Sequence, residues 1–254
     1  MSYTSDVKVL AVIPARYKSS RFPGKPLVDI CGKPMIWWVY QRCLAAETLD
    51  EVLVATDDSR ISEACEELGV KCVMTSEGNL TGTDRVAEVA EAIQADLYVN
   101  IQGDEPLLEP STIDAAIRPF FEDDGIEVTN LMTRITDPVD VVNFTIPKVI
   151  TNRELVGVYL TRATAPYPKG AIGYPYYKQV CVYGYKPEAL RFFRDYGRRF
   201  GKAKIEEIED IEILRLIENG FKVQYVEVDS DTVAVDTPKD LAKVRSIMEG
   251  RLSR

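Results

Sequence analysis

Apolar residues follow two rhythms along this chain. Residues 9–13, 52–56 and 97–101 are nearly unbroken apolar runs (Val-Leu-Ala-Val-Ile is the first). This is the pattern of strands covered on both faces of a parallel sheet. Between them the spacing turns helical. Pro34 opens a helix to about residue 47, Asp58 or Ser59 caps one over 60–68, and 84–95 carries Val86, Val89, Ala90 and Ile93 on one side. Shorter strands are expected at 28–32 and 71–74. The alternation predicts an α/β fold with a doubly wound, mostly parallel sheet. From residue 126 strands dominate, at 127–134, 147–150, 155–161 and 178–185. Helices over 187–196 and 206–219 and a strand over 222–228 follow. Thr237 then caps a closing helix begun by Pro238 and apolar at Leu241, Val244 and Ile247. The chain reads as one domain, 1–254, with a smaller β-rich insertion around 126–186 that forms a lid or a dimer contact.

Composition narrows the function. With 254 residues, 46% of them hydrophobic, the chain can bury one large core. A net charge of −9 and no basic tract argue against a nucleic-acid partner. No apolar run approaches the roughly 20 residues of a membrane span, and no secretory leader pattern is visible, so the expectation is a cytoplasmic protein without a membrane partner. Five cysteines lack C-x-x-C pairing, which suits free thiols in a reducing compartment and indicates neither a disulfide frame nor a zinc site. Histidine is absent. Any metal must therefore be held by oxygen, which favours Mg²⁺.

The run at 9–13 is followed by a loop carrying Arg16, Lys18, Arg21 and Lys25 among two serines and Pro23-Gly24. Open α/β sheets bind ligands at the carboxyl ends of their strands, and this density of cations in an acidic chain suits a polyphosphate. The loop is neither a Walker motif nor a dinucleotide fingerprint. Asp104 ends the run at 97–101, and Asp236 occupies a similar place near the far end of the chain. Two carboxylates from distant segments suggest one Mg²⁺ site. The alternative for each is a helix cap. Gln102 offers a base edge both a donor and an acceptor.

The motifs V-I-P-A-R-Y-K-S-S-R-F-P-G-K-P-L, A-T-D-D, G-T-D-R, V-N-I-Q-G-D-E-P and V-D-T-P-K-D-L fall in the order seen in the 3-deoxy-manno-octulosonate (Kdo) cytidylyltransferases, which the chain resembles over essentially its whole length. The resemblance implies transfer of CMP from CTP to the anomeric hydroxyl of an acidic sugar, with release of pyrophosphate, for surface polysaccharide synthesis. It implies that Arg16 and Lys25 hold the triphosphate with Ser19 and Arg21 nearby. Arg85 and Gln102, with backbone around Ala15, would read cytosine, and Asp104 and Asp236 would bind Mg²⁺. Arg162 would meet the sugar carboxylate, and Tyr183 and Glu212 its hydroxyls. A homodimer is implied as well.

The nucleotide half matches this pattern closely and the sugar half departs from it. Gln179 stands where the family usually has His, Ile213 where it has a sugar-facing Gln, and Ser76 and Asn79 where it has Arg and His. Two explanations stay open. The same acceptor is recognised by different means, or the acceptor is another acid, such as the 8-amino analogue of Kdo. A nucleotide-binding module without catalysis is the alternative from another class, and retention of Arg16, Lys25, Asp104 and Asp236 argues against it.

Overall fold

The computed structural model describes residues 7–18, 22–170, 173–229 and 233–252. Its strands are β1 (Val9–Ala15), β2 (Asp29–Ile30), β3 (Lys33–Pro34), β4 (Glu51–Thr56), β5 (Cys72–Met74), β6 (Leu97–Ile101), β7 (Val128–Arg134), β8 (Lys148–Thr151), β9 (Gly157–Thr161), β10 (Tyr177–Tyr185) and β11 (Val223–Glu227). The α-helices are α1 (Met35–Leu44), α2 (Ser59–Glu67), α3 (Gly82–Ala92), α4 (Pro110–Glu122), α5 (Pro138–Val142), α6 (Pro187–Phe200), α7 (Lys204–Glu209), α8 (Leu214–Glu218) and α9 (Pro238–Leu252). The main sheet runs β11-β7-β10-β6-β1-β4-β5, with β8 on β10 and β9 on β8. Pairs β1–β4, β1–β6, β4–β5 and β7–β11 are parallel, whereas β10 is antiparallel to both of its neighbours in that order. β2 and β3 form a separate small antiparallel pair.

The expected doubly wound core is present, and its two faces follow from side-chain alternation. Val9, Ala11 and Ile13 join the cluster under α1, α2 and α4, while Leu10 and Val12 join the one under α3, α6 and α8. A third cluster of Ile30, Met35, Leu107, Val235, Leu241, Val244 and Met248 packs the closing helix against the segment after β6. That cluster brings residue 236 to residue 104.

Four local expectations shift. Pro14 lies inside β1, beyond the last pair with β6 (Val12–Asn100), so its missing N–H leaves no gap on that side. Helix α4, unassigned by the periodicity, begins with Pro110 and buries Ile113, Ala116, Ile117 and Phe120 despite Pro119 near its end. β7 and β10, at the two ends of the 126–186 stretch, belong to the main sheet, and the added β structure is β8–β9. The helix expected over 206–219 breaks into α7 and α8 at Asp210, which is left-handed (φ 51°, ψ 51°).

The break serves a buried ion network. The Arg215 guanidinium lies 2.6 Å from Asp84 Oδ1 and 2.7 Å from both Glu206 oxygens, donates to the Phe193 carbonyl and stacks on the Phe193 ring. Gly197 makes room, since a Cβ there would stand 2.7 Å from Arg215 Nη1. One side chain thus ties α3, α6, α7 and α8 together. Arg215→Met strands two buried carboxylates and is expected to lower unfolding free energy by about 3–5 kcal/mol in urea titration. A loss below about 1 kcal/mol would contradict a buried network.

Candidate active site

β1, β4 and β6 end on the same side of the sheet, and the loops that follow them carry the site. After β1 the chain turns back through Gly24, whose N–H donates to the Tyr17 carbonyl at 2.9 Å. Gly24 has φ 70°, and a Cβ there would sit 3.2 Å from the Tyr17 ring. Arg60 covers that ring at 3.3 Å. The packed turn delivers Lys25, whose Nζ lies 2.6 Å from Asp104 Oδ2 and 3.4 Å from Asp236 Oδ1. The Val235 N–H donates to the Asp104 carbonyl at 2.9 Å, which fastens the two acidic segments to each other.

The two aspartates are not helix caps. Thr237 and Asp240 cap α9 reciprocally, Thr237 N donating to Asp240 Oδ2 at 2.8 Å and Asp240 N to Thr237 Oγ1 at 3.3 Å. Glu109 precedes α4, so Asp104 lies clear of its first turn. Among the described residues no group of three or more His, Cys, Asp or Glu side chains is arranged to hold a metal. Two carboxylates nonetheless suit Mg²⁺, which is usually bound through one or two carboxylates together with substrate phosphates and water.

Arg16 donates to the Asn79 carbonyl at 2.8 Å, and Ala15 is buried at the end of β1. Lys18 is exposed and pairs with Glu77 at 3.6 Å. Ser19 and Arg21 lie outside the described residues. Arg85 is fully buried in the first turn of α3, where burial lowers its pKa and Asp57 opposes that shift. Nη1 donates to Thr75, and Nη2 lies 3.0 Å from Asp57 Oδ2 without hydrogen-bond geometry. Nε also lacks a hydrogen-bond acceptor. Gln102 is half-buried, its Nε2 3.5 Å from Asn100 Oδ1. Asp57, Thr75 and Asn100 went unassigned in the sequence, although Asn100 in an apolar run was a visible signal.

On the sugar side the residues assigned by resemblance are engaged within the protein. The Glu212 carboxylate does not stand free. Oε1 accepts from Gly82 N at 3.0 Å, and Oε2 accepts from Thr83 N at 2.8 Å and from Thr83 Oγ1 at 2.6 Å. It therefore caps the first turn of α3 from 130 residues away, where an anion also meets the positive end of the helix dipole. Arg162 gives Nε to the Glu209 carbonyl at 2.6 Å, Nη1 to Thr145 O at 3.1 Å and Nη2 to Asp210 O at 3.1 Å. Those bonds close the β8–β9 arm onto the α7–α8 break, so pairing with a sugar carboxylate would require their release. Tyr183 is buried and stacked on Tyr185, and burial raises its pKa well above the ordinary tyrosine range. Gln179 donates to Asn130 Oδ1 at 2.9 Å. Ile213 is fully buried in the core beneath α3 and α6. Ser76 and Asn79 are tied to Glu88, at 3.0 and 2.5 Å, in the rim of a 440 Å³ cavity beside α6.

A family model described as cytidylyltransferase matches residues 10–227. The chain belongs to the cytidylyltransferase family. It is 41% identical to the 3-deoxy-manno-octulosonate cytidylyltransferase of Syntrophus aciditrophicus, over 96% of this chain and 98% of the relative. It is 42% identical to the protein of the same description from Geobacter metallireducens, over 94% and 96%. The solved structure of CMP:2-keto-3-deoxy-manno-octonic acid synthetase complexed with CTP superposes with a TM-score of 0.89 at 38% identity, over 96% of this chain and 99% of that one. A cytidylyltransferase from Leptospira borgpetersenii, at 16% identity and TM-score 0.61, shares the fold.

In this cytidylyltransferase the Glu212 cap is open to direct test. Glu212→Ala leaves two N–H groups and one hydroxyl of α3 without their acceptor and is expected to lose about 1–3 kcal/mol in urea unfolding, with Glu212→Gln losing less. Unchanged stability in Glu212→Ala would show that the carboxylate does not cap the helix.

Proposed function

We propose that this cytidylyltransferase transfers CMP from CTP to the anomeric hydroxyl of Kdo or a closely related 3-deoxy-2-keto sugar acid and releases pyrophosphate, supplying an activated sugar for surface polysaccharide. The observation that carries the reading is the full-length match, at 38% identity, to a CMP:2-keto-3-deoxy-manno-octonic acid synthetase complexed with CTP. The site chemistry is consistent with it. Arg16 and Lys25 offer positive charge to a triphosphate at the end of β1, and Arg85 and Gln102 offer donors to the cytosine edge.

The reaction needs no enzyme nucleophile. The sugar hydroxyl forms a bond to the α-phosphorus as the bridging bond to the β-phosphate breaks. Pyrophosphate leaves with the electron pair, and the hydroxyl proton passes to solvent. Arg16 and Lys25 hold the chain of phosphates in line and spread its negative charge. Asp104 and Asp236 would hold Mg²⁺, which when bound supplies further charge neutralisation at the phosphates. Lys25, now between those carboxylates, would turn to the phosphate oxygens.

The 41% and 42% identity to proteins described as 3-deoxy-manno-octulosonate cytidylyltransferase favours Kdo over a remote acceptor. Ile213 is core and offers no surface to an acceptor, whereas Ser76 and Asn79 line the cavity beside α6. The exposed apolar side chains Val139, Val142 and Phe144 around α5 suit a homodimer contact. Reduced cysteines suit the cytoplasm, and no helix among the described residues is long and apolar enough to cross a membrane.

Pyrophosphate release with CTP, Mg²⁺ and a panel of acidic sugars tests the reading. Turnover is expected with Kdo or its 8-amino analogue, and its loss in EDTA. Asp104→Asn should reduce kcat by about 10²-fold or more while the protein still binds CTP. Turnover by Asp104→Asn at the wild-type rate would remove Asp104 from the reaction, and turnover restricted to a non-sugar acid would overturn the proposed acceptor.

A further inference from the structure

β10 does not run straight past the active site. It pairs with β7 in step from Tyr177–Arg134 to Val180–Leu131 and resumes at Tyr183–Asn130, so Cys181 and Val182 are inserted without partners on β7. Bulges next to active sites re-aim a side chain. This one is clamped. Asn130 is fully buried and donates both amide hydrogens across the kink, to Val180 O at 3.0 Å and to Val182 O at 2.9 Å, while its own oxygen accepts from Gln179 Nε2 at 2.9 Å. The two carbonyls it holds flank Cys181.

The other edge of β10 shows where the kink points. Val182 pairs with Ile101 and Tyr183 with Asn100, so one residue further Cys181 comes level with Gln102. Alternation places it on the face shared by Asn100 and Gln102. Its half-buried thiol has its pKa raised by burial first and then by the Glu105, Asp104 and Glu212 carboxylates, while a hydrogen bond with Tyr183 opposes the rise. A thiol held protonated is a neutral surface and not a nucleophile. The sheet order fixes which ligand it meets. Arg85, proposed above to read the base, lies against Asp57 and Thr75 at the ends of β4 and β5, which puts the base on that side. β10 lies on the opposite side of β6. The Asp104 loop follows β6, so a group attacking the α-phosphorus from beyond it comes against β10.

We propose that the Asn130–Gln179 clamp sets Cys181 as a wall of the acceptor pocket, making Cys181 a specificity-determining residue and Asn130 its positioning residue. This rests on the transfer reaction proposed above. Cys181→Leu is expected to raise KM for Kdo about tenfold or more, as added methylenes do in a closed pocket, with KM for CTP and the melting temperature unchanged. Cys181→Ser should keep the wild-type KM for Kdo. Asn130→Ser should give the same split between acceptor and CTP, and the Asn130→Ser/Cys181→Leu double variant should raise KM by less than the product of the two singles, because both act through one bulge. An unchanged KM for Kdo in Cys181→Leu overturns the wall, and strictly multiplicative effects overturn the positioning role. Wild-type silence with every acid would instead overturn the transfer reaction. Calorimetric binding of Kdo to the CTP-loaded wild type and Cys181→Leu then still decides the wall, since equal affinities contradict it.

Discussion

The site depends on one ammonium group between two carboxylates. Lys25, Asp104 and Asp236 come from the first loop, the middle of the chain and its last quarter, and their charges hold those segments together at 2.6 and 3.4 Å. Side-chain exposures of 16%, 24% and 40% leave the cluster wet enough to exchange partners yet dry enough for its charges to matter. Backbone and core share the load. The Val235–Asp104 hydrogen bond and the third apolar cluster hold the acidic segments in place, so the carboxylates need not rely on Lys25 alone. In an acidic chain with no histidine, this arrangement brings a cation of the first loop against two carboxylates.

A second constraint sets the start of α3. α3 begins at the rim of the sheet, and four residues fix its first turn. Glu212 caps it from outside, Thr81 accepts from Asp84 N within, Arg215 grips Asp84 from beneath, and Asp57 lies against Arg85. The left-handed residue Asp210 makes this possible, because a continuous helix through 206–219 could not present Glu206 and Arg215 to each other and Glu212 to α3. A side chain carried in a helix's first turn is only as well placed as that turn.

Much of this was legible in the residues. The apolar runs at 9–13, 52–56 and 97–101 became the central parallel strands, and the cationic loop lies at their carboxyl ends as the fold class requires. Asp104 and Asp236, 132 residues apart in sequence, both reach Lys25, although Asp236 precedes a helix and does not end a strand. What was not legible is long-range and polar. Periodicity cannot show that Glu212 caps a helix begun at Gly82, that Arg162 holds backbone carbonyls, or that Ile213 points into the core. Periodicity also left α4 unassigned, a helix with Pro110 at its first position and Pro119 near its end. Asn100 and Asn130, polar residues inside apolar strands, were signals of the site and of the bulge, and each is buried with its amide engaged.

Whether the two aspartates hold a cation at the triphosphate can be read directly from the phosphorus resonances of CTP bound to this cytidylyltransferase in the presence of a trace of Mn²⁺. In the wild type the β- and γ-phosphate signals should broaden strongly, and the broadening should collapse in the Asp104→Asn/Asp236→Asn double variant while CTP stays bound. Equal broadening in the two proteins would contradict a cation site built on these carboxylates.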